Sequence, residues 1–178
     1  RLGPIRLERN PVPSPTVAVV IPCYRHGRFL HDALASVRRQ THPAAQVLVF
    51  DDASDDQETI DVLAALDHED WVEVIRLERN SGPSVARNRA LERVTANYYL
   101  PLDADDELYD TALDHMLAEL EGAGSDIGFV YPNPEHFGNR HDYVEVPTYN
   151  LSLLLKENYC PATALFDRRI FDAGVRYP

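Results

Sequence analysis

Three carboxylates, Asp103, Asp105 and Asp106, fall within four residues, with Glu107 directly after them. Like charges packed so closely repel. A divalent cation relieves that repulsion, and oxygen-only ligands select a hard ion, Mg²⁺ or Mn²⁺. The preceding Tyr98-Tyr99-Leu100-Pro101-Leu102 reads as a buried strand, which in a parallel sheet would deliver the carboxylates to the carboxyl edge. A lone D-x-D reads more readily as a solvated acidic turn, so the surrounding chain decides.

Two more apolar runs stop at polar loops. Val17-Ala18-Val19-Val20-Ile21 is β-branched, ends at Pro22 and opens into a loop from Cys23 to Gly27. Val47-Leu48-Val49-Phe50 stops at Asp51-Asp52-Ala53-Ser54-Asp55-Asp56. Helical spacing follows each strand: Phe29, Leu30, Ala33, Leu34 and Val37 in the first case, Ile60, Leu63, Ala64 and Leu66 in the second. Strand, helix, strand, helix requires a parallel sheet with right-handed crossovers.

An edge strand is expected over 72–77. Gly82 then permits a tight turn and Pro83 suits the first position of a helix carrying Arg87. A further helix is expected from about Thr111 to Glu121 and a strand over 127–131. Residues 132–148 read as a long loop, a candidate substrate flap, and short helix or strand follows near 151–155 and 164–171. Asp55 and Asp56 read first as caps of the helix they precede. Cys23 and Cys160 read as ordinary buried thiols and the tyrosines at 98 and 99 as core.

In an open α/β sheet, ligands bind outside the carboxyl ends of the strands, where all three polar loops would meet. Asp51 or Asp52 could accept a hydrogen bond from a base N–H, and Asp103 could take a ribose hydroxyl. Asp105 could meet a metal bound to phosphate oxygens, which Arg87 could also reach with its planar fork of donors.

The 178 residues suit one substantial domain, and a net charge of -12 argues against nucleic acid or an anionic membrane as a partner held by charge alone. An anionic small molecule would need a metal or a local arginine. The two cysteines show no metal-ligand spacing, and no apolar run is long enough to span a membrane. The expected location is cytoplasmic, or peripheral at the inner membrane face through segments outside this stretch. Residues 1–15, with four prolines, are expected to form an extended arm or linker, and 16–178 the domain.

Four segments in order, Val19-Val20-Ile21-Pro22-Cys23-Tyr24, Val49-Phe50-Asp51-Asp52-Ala53-Ser54-Asp55, Asn80-Ser81-Gly82-Pro83-Ser84-Val85-Ala86-Arg87-Asn88 and Leu102-Asp103-Ala104-Asp105-Asp106, resemble family 2 glycosyltransferases. A weaker likeness continues through Asn158 to Ala162 and Leu165 to Arg169. The resemblance implies an α/β, GT-A (Rossmann-like) fold, a mainly parallel sheet flanked by helices. It further implies metal-assisted, inverting transfer of a sugar from a nucleotide-diphosphate donor, probed first as a UDP sugar, to a saccharide, lipid-linked or other hydroxyl acceptor. On the matching positions, Pro22 and Tyr24 would line the nucleoside pocket, Asp52 would hold the base and Arg87 would sit near the nucleotide. Asp103, with Ala104 beside it, would contact the ribose or donor sugar, and Asp105, with Asp103, would ligate Mn²⁺ or Mg²⁺. Two departures stand out. Arg25 occupies a position where the family usually has Asn, and the acidic Glu-Asp segment that supplies the family's base is expected beyond Pro178.

Two rival readings remain open on the residues: a receiver- or phosphatase-like phosphoryl site, and a nucleotide-sugar-binding module without catalysis. The first wants a strand-end lysine, and the chain's single lysine, Lys156, is poorly placed for it. An EF-hand loop from Asp103 fails because Leu108 stands where Gly is required.

Overall fold

The computed structural model describes residues 14–178, so most of the expected proline-rich arm lies outside the described residues. Its centre is β1 (Val17–Cys23), flanked by β2 (Gln46–Asp51) and later by β4 (Tyr98–Pro101), both parallel to it. Strand β3 (Glu73–Arg76) pairs in parallel outside β2. From Val17 to Ile21 every side chain is 0% exposed, which explains an apolar run without alternation: both faces of β1 are covered.

Odd-numbered β1 residues Val17, Val19 and Ile21 pack against α1 (Gly27–Arg38), α2 (Gln57–Leu66) and α4 (Ala112–Gly122), through Leu30, Leu34, Leu63, Leu113 and Leu117. Even-numbered Ala18 and Val20 face α3 (Pro83–Leu91) through Ala86 and Ala90, with Tyr99 and Phe171 completing that layer. The result is helices on both faces of one sheet.

The sheet order is β3-β2-β1-β4-β8-β5. Strand β8 (Leu165–Asp167) is antiparallel to β4 on one side and to β5 (Phe129–Val130) on the other. The mainly parallel sheet expected from the sequence therefore carries one reversed strand. The expected strand over 127–131 shrinks to two residues, and the 132–148 loop contains a small hairpin, β6 (Glu135–His136) with β7 (Asp142–Tyr143). Short helices α5 (Leu151–Leu154) and α6 (Arg169–Asp172) follow.

Helices α1 and α2 touch at Gly27, whose N–H donates to Thr59 Oγ1 at 2.9 Å. A Cβ at Gly27 would lie 2.5 Å from the Thr59 Cα, a backbone atom that cannot swing away. Gly27→Ala is therefore expected to cost about 1–3 kcal/mol and lower Tm by roughly 3–10 °C. An unchanged melting curve would contradict this packing.

Candidate functional site

Three strand ends converge at the carboxyl edge. The loop after β1 reaches the loop after β2, where Arg25 donates through its backbone N–H to Ser54 Oγ and through its guanidinium to both Asp55 oxygens at 2.6 Å. The same β1 loop reaches the loop after β4, where His26 Nδ1 lies 3.9 Å from the Asp105 carboxylate. Arg25 and Ala53 both adopt left-handed backbone, at φ 56° and 61°, so this junction is held against local preference by its hydrogen bonds.

Asp56 caps α2 by accepting from the Thr59 N–H, as its position predicts. Asp55 does not cap. Its carboxylate is taken by Arg25, whose guanidinium holds it below the usual carboxylate range. The same guanidinium lies 5.3 Å from the centre of the half-exposed Tyr24 ring, so the residue that departs from the family pattern braces the expected nucleoside pocket.

Asp52 is 4% exposed, and its two oxygens accept from the backbone N–H groups of Ser81 at 2.8 Å and Gly82 at 2.7 Å. Asp52 thus fixes the turn that opens α3, and the hydrogen bond to a base expected of it would use the second lone pair of an oxygen already holding that turn. Gly82 sits there at φ 87°, with Pro83 at the first helical position. Asp51 is likewise turned inward, accepting from the Ser54 N–H.

One turn into α3, Arg87 donates to Asp103 Oδ1 at 2.5 Å. The arginine side chain is 12% exposed and the aspartate 40%, so the pair stands at the crevice wall with the carboxylate outward. Ala104 is 2% exposed and packs into the core between Asp103 and Asp105. Asp105 and Asp106 are exposed. Desolvation of its carboxyl, together with the charges of Asp103 and Asp105, pushes Asp106 up to about 6. The cost to the fold is absent below the ordinary carboxylate range, grows as pH rises through it, and is complete once pH exceeds about 6.

This crowding is what a cation would relieve. Among the described residues no three His, Cys, Asp or Glu side chains gather into a ready-made metal cage. One or two outward carboxylates fit instead a hard cation that completes its coordination with water and substrate phosphate. Asp105, with Asp103 beside it, has that chemistry.

Ser36 and Gln40 were not visible as site residues in the sequence, yet both are buried and hold the segment that follows the acidic cluster. Ser36 Oγ accepts from the Leu108 N–H at 3.0 Å, while Gln40 donates to the Tyr109 carbonyl at 2.8 Å and accepts from the Leu113 N–H at 3.0 Å. Their signal was two polar residues four apart, Ser36 on the apolar face of α1 and Gln40 just past its end. Beyond that segment lies a cleft of about 490 Å³, reaching from Asp103 to the β6–β7 hairpin and residues 161–163.

Strand order 3-2-1-4 with its reversal between β1 and β4, and polar loops at that switch point, define a Rossmann-like α/β domain with its ligand crevice at the carboxyl edge. The chain belongs to glycosyl transferase family 2, whose sequence pattern it matches over residues 18–174. Among relatives, the putative teichuronic acid biosynthesis glycosyltransferase TuaG of Bacillus subtilis (strain 168) is 38% identical over 105 residues, 58% of this chain and 41% of that protein. The poly(ribitol-phosphate) beta-N-acetylglucosaminyltransferase TarP of Staphylococcus aureus (strain N315) is 35% identical over 115 residues, 62% of this chain and 35% of that protein. The fold matches S. aureus TarS 1-349 in complex with UDP-GlcNAc at a TM-score of 0.73 and 22% identity, over 92% of this chain and 48% of that one. It also matches the mannosyltransferase PcManGT from Pyrobaculum calidifontis, in complex with GDP-Man and Mn²⁺, at 0.70 and 20%, over 99% of this chain and 51% of that one. These matches establish the GT-A fold. The chain spans less than half the length of the two relatives. None of its described helices is long and apolar enough to cross a membrane.

Proposed function

We propose that the chain is the donor-binding part of a metal-assisted, inverting glycosyltransferase that takes a UDP-linked sugar and serves polysaccharide assembly. The observation that carries this reading is the Arg87–Asp103 pair standing beside the outward carboxylate of Asp105, at the junction of the strand-end loops. Neighbours with the same fold in complex with UDP-GlcNAc, and with GDP-Man and Mn²⁺, support it. A phosphoryl-transfer reading has no comparable support.

In this reading Pro22 and Tyr24 flank the nucleoside, Tyr24 presenting its ring, while Asp52 holds the turn at Gly82 so that Arg87 stays aimed into the crevice. Asp103 orients Arg87 and offers its outward oxygen to a ribose or sugar hydroxyl, with Ala104 packed beside it. Asp105, with help from Asp103, would hold Mn²⁺ or Mg²⁺, which when bound stabilises the charge of the leaving diphosphate. The base that takes the acceptor's proton is assigned to an acidic segment downstream of residue 178.

UDP with Mn²⁺ at about 100 times its Kd should stabilise the chain by about 2.7 kcal/mol and raise Tm by roughly 5–10 °C. UDP alone should do far less. Equal shifts with and without Mn²⁺ would remove the metal from the reading, and covalent labelling of an aspartate by acetyl phosphate would replace it with a receiver-type site.

A further inference from the structure

The cleft beyond the acidic cluster has a lining that selects by charge. It is lined by five acidic residues, Asp103, Asp106, Glu107, Asp110 and Glu135, against one cationic residue among the described ones, Arg39. That arginine is already engaged, with Glu107 at 3.7 Å and Asp110 at 3.2 Å. Apart from the uncharged Asn133, Thr163 and Tyr109, the rest of the wall is apolar. Two aromatics at the cleft, Tyr109 and Phe137, are 68% and 53% exposed, and the Tyr109 hydroxyl donates to Glu135, tying the hairpin to the segment after β4.

Outward carboxylates accept hydrogen bonds from hydroxyls, and exposed aromatic faces offer flat apolar area to the C–H face of a sugar ring. Together they fit a polyhydroxylated, uncharged molecule. A phosphodiester group would enter a field of like charge, and among the described residues lining the cleft no cation is free to receive it.

Resting on the glycosyltransferase reading above, we infer that the acceptor bound in this cleft is an uncharged saccharide and not a phosphate-bearing polymer. The lining thereby separates this chain from TarP, whose name specifies poly(ribitol phosphate). Rejection is built from Asp110 and Glu135, which face the cleft and stand apart from the residues assigned to the donor.

The test loads the full chain with UDP and Mn²⁺ and probes it on an array of neutral oligosaccharides and phosphate-bearing polyol oligomers at two salt concentrations. Neutral saccharides should bind at least ~10-fold tighter than any phosphate-bearing probe, with little dependence on salt. The double variant Asp110→Lys, Glu135→Lys should erase that preference while the chain still binds UDP with Mn²⁺. Phe137→Ala should weaken neutral probes alone. Phosphate-bearing probes binding as tightly as neutral ones would overturn the inference, as would a preference that survives the double variant, or no saccharide bound by a chain that binds UDP. In each of those cases the donor reading stands. A chain that does not bind UDP would overturn both.

Discussion

Asp105→Ala is expected to reduce Mn²⁺-dependent affinity for UDP by at least about 100-fold, equivalent to about 2.7 kcal/mol, with Tm unchanged or slightly higher. The asymmetry between binding and stability follows from where the side chain stands. Asp105 is about half exposed, and its approach to His26 at 3.9 Å is too long and too solvated to hold the loop. Its charge works against its neighbour, since, with desolvation and the charge of Asp103, it pushes Asp106 up to about 6. Removing it relieves repulsion and forfeits only the cation. Without Mn²⁺, wild type and variant should bind UDP equally. Asp103→Ala differs, because it strands the buried guanidinium of Arg87 and should lower Tm as well. Isothermal titration with and without Mn²⁺, run beside thermal melts, separates the two; retained metal-dependent affinity in Asp105→Ala would remove that residue from the metal.

Much of this arrangement is legible in the chain. Buried parallel strands are written as continuous β-branched runs, and β1 and β2 stop where polarity returns, so the strand ends and their loops can be placed before any side chain is seen. Gly82-Pro83 marks the opening of α3 because few other pairs suit that turn. Strand β8 was ambiguous for an opposite reason. Three residues, Leu165–Asp167, carry no period, and their reversed pairing with β4 and β5 depends on partners far away in sequence. The hairpin of β6 and β7 has two residues per strand, too few to show alternation.

Among the acidic residues, the sequence indicated which loops mattered but not what each carboxylate does. Asp52, Asp55 and Asp56 are similar in type and nearly adjacent, yet one holds the turn at Gly82, one binds Arg25 and one caps α2. Those duties are set by which donor each oxygen faces, a matter of ångströms that spacing does not encode. Arg25 illustrates the same limit: the sequence marks it only as a departure from the family pattern, whereas the structure spends it on Asp55 and the Tyr24 ring.

Asp52→Ala is expected to be the most damaging single change at the crevice for stability, costing about 3–5 kcal/mol and lowering Tm by roughly 6–20 °C. Two charge-assisted hydrogen bonds disappear at once, and the Ser81 and Gly82 amides lose their acceptors in a part-buried site. Asp52→Asn keeps one acceptor oxygen but turns its NH₂ toward the other amide, so it should lose more than half of the same amount. The consequence for binding is the sharper test. If Asp52 acts by fixing the turn that aims Arg87, loosening it disturbs the phosphate side, and UDP and inorganic diphosphate should weaken by the same factor in Asp52→Asn. A carboxylate that instead met the base directly would make uridine-containing ligands weaken alone. Competition titrations of UDP and diphosphate against the same variant, at a temperature where it remains folded, distinguish these outcomes; a loss confined to UDP would return Asp52 to the base and leave the Gly82 turn held by its own hydrogen bonds and by Pro83.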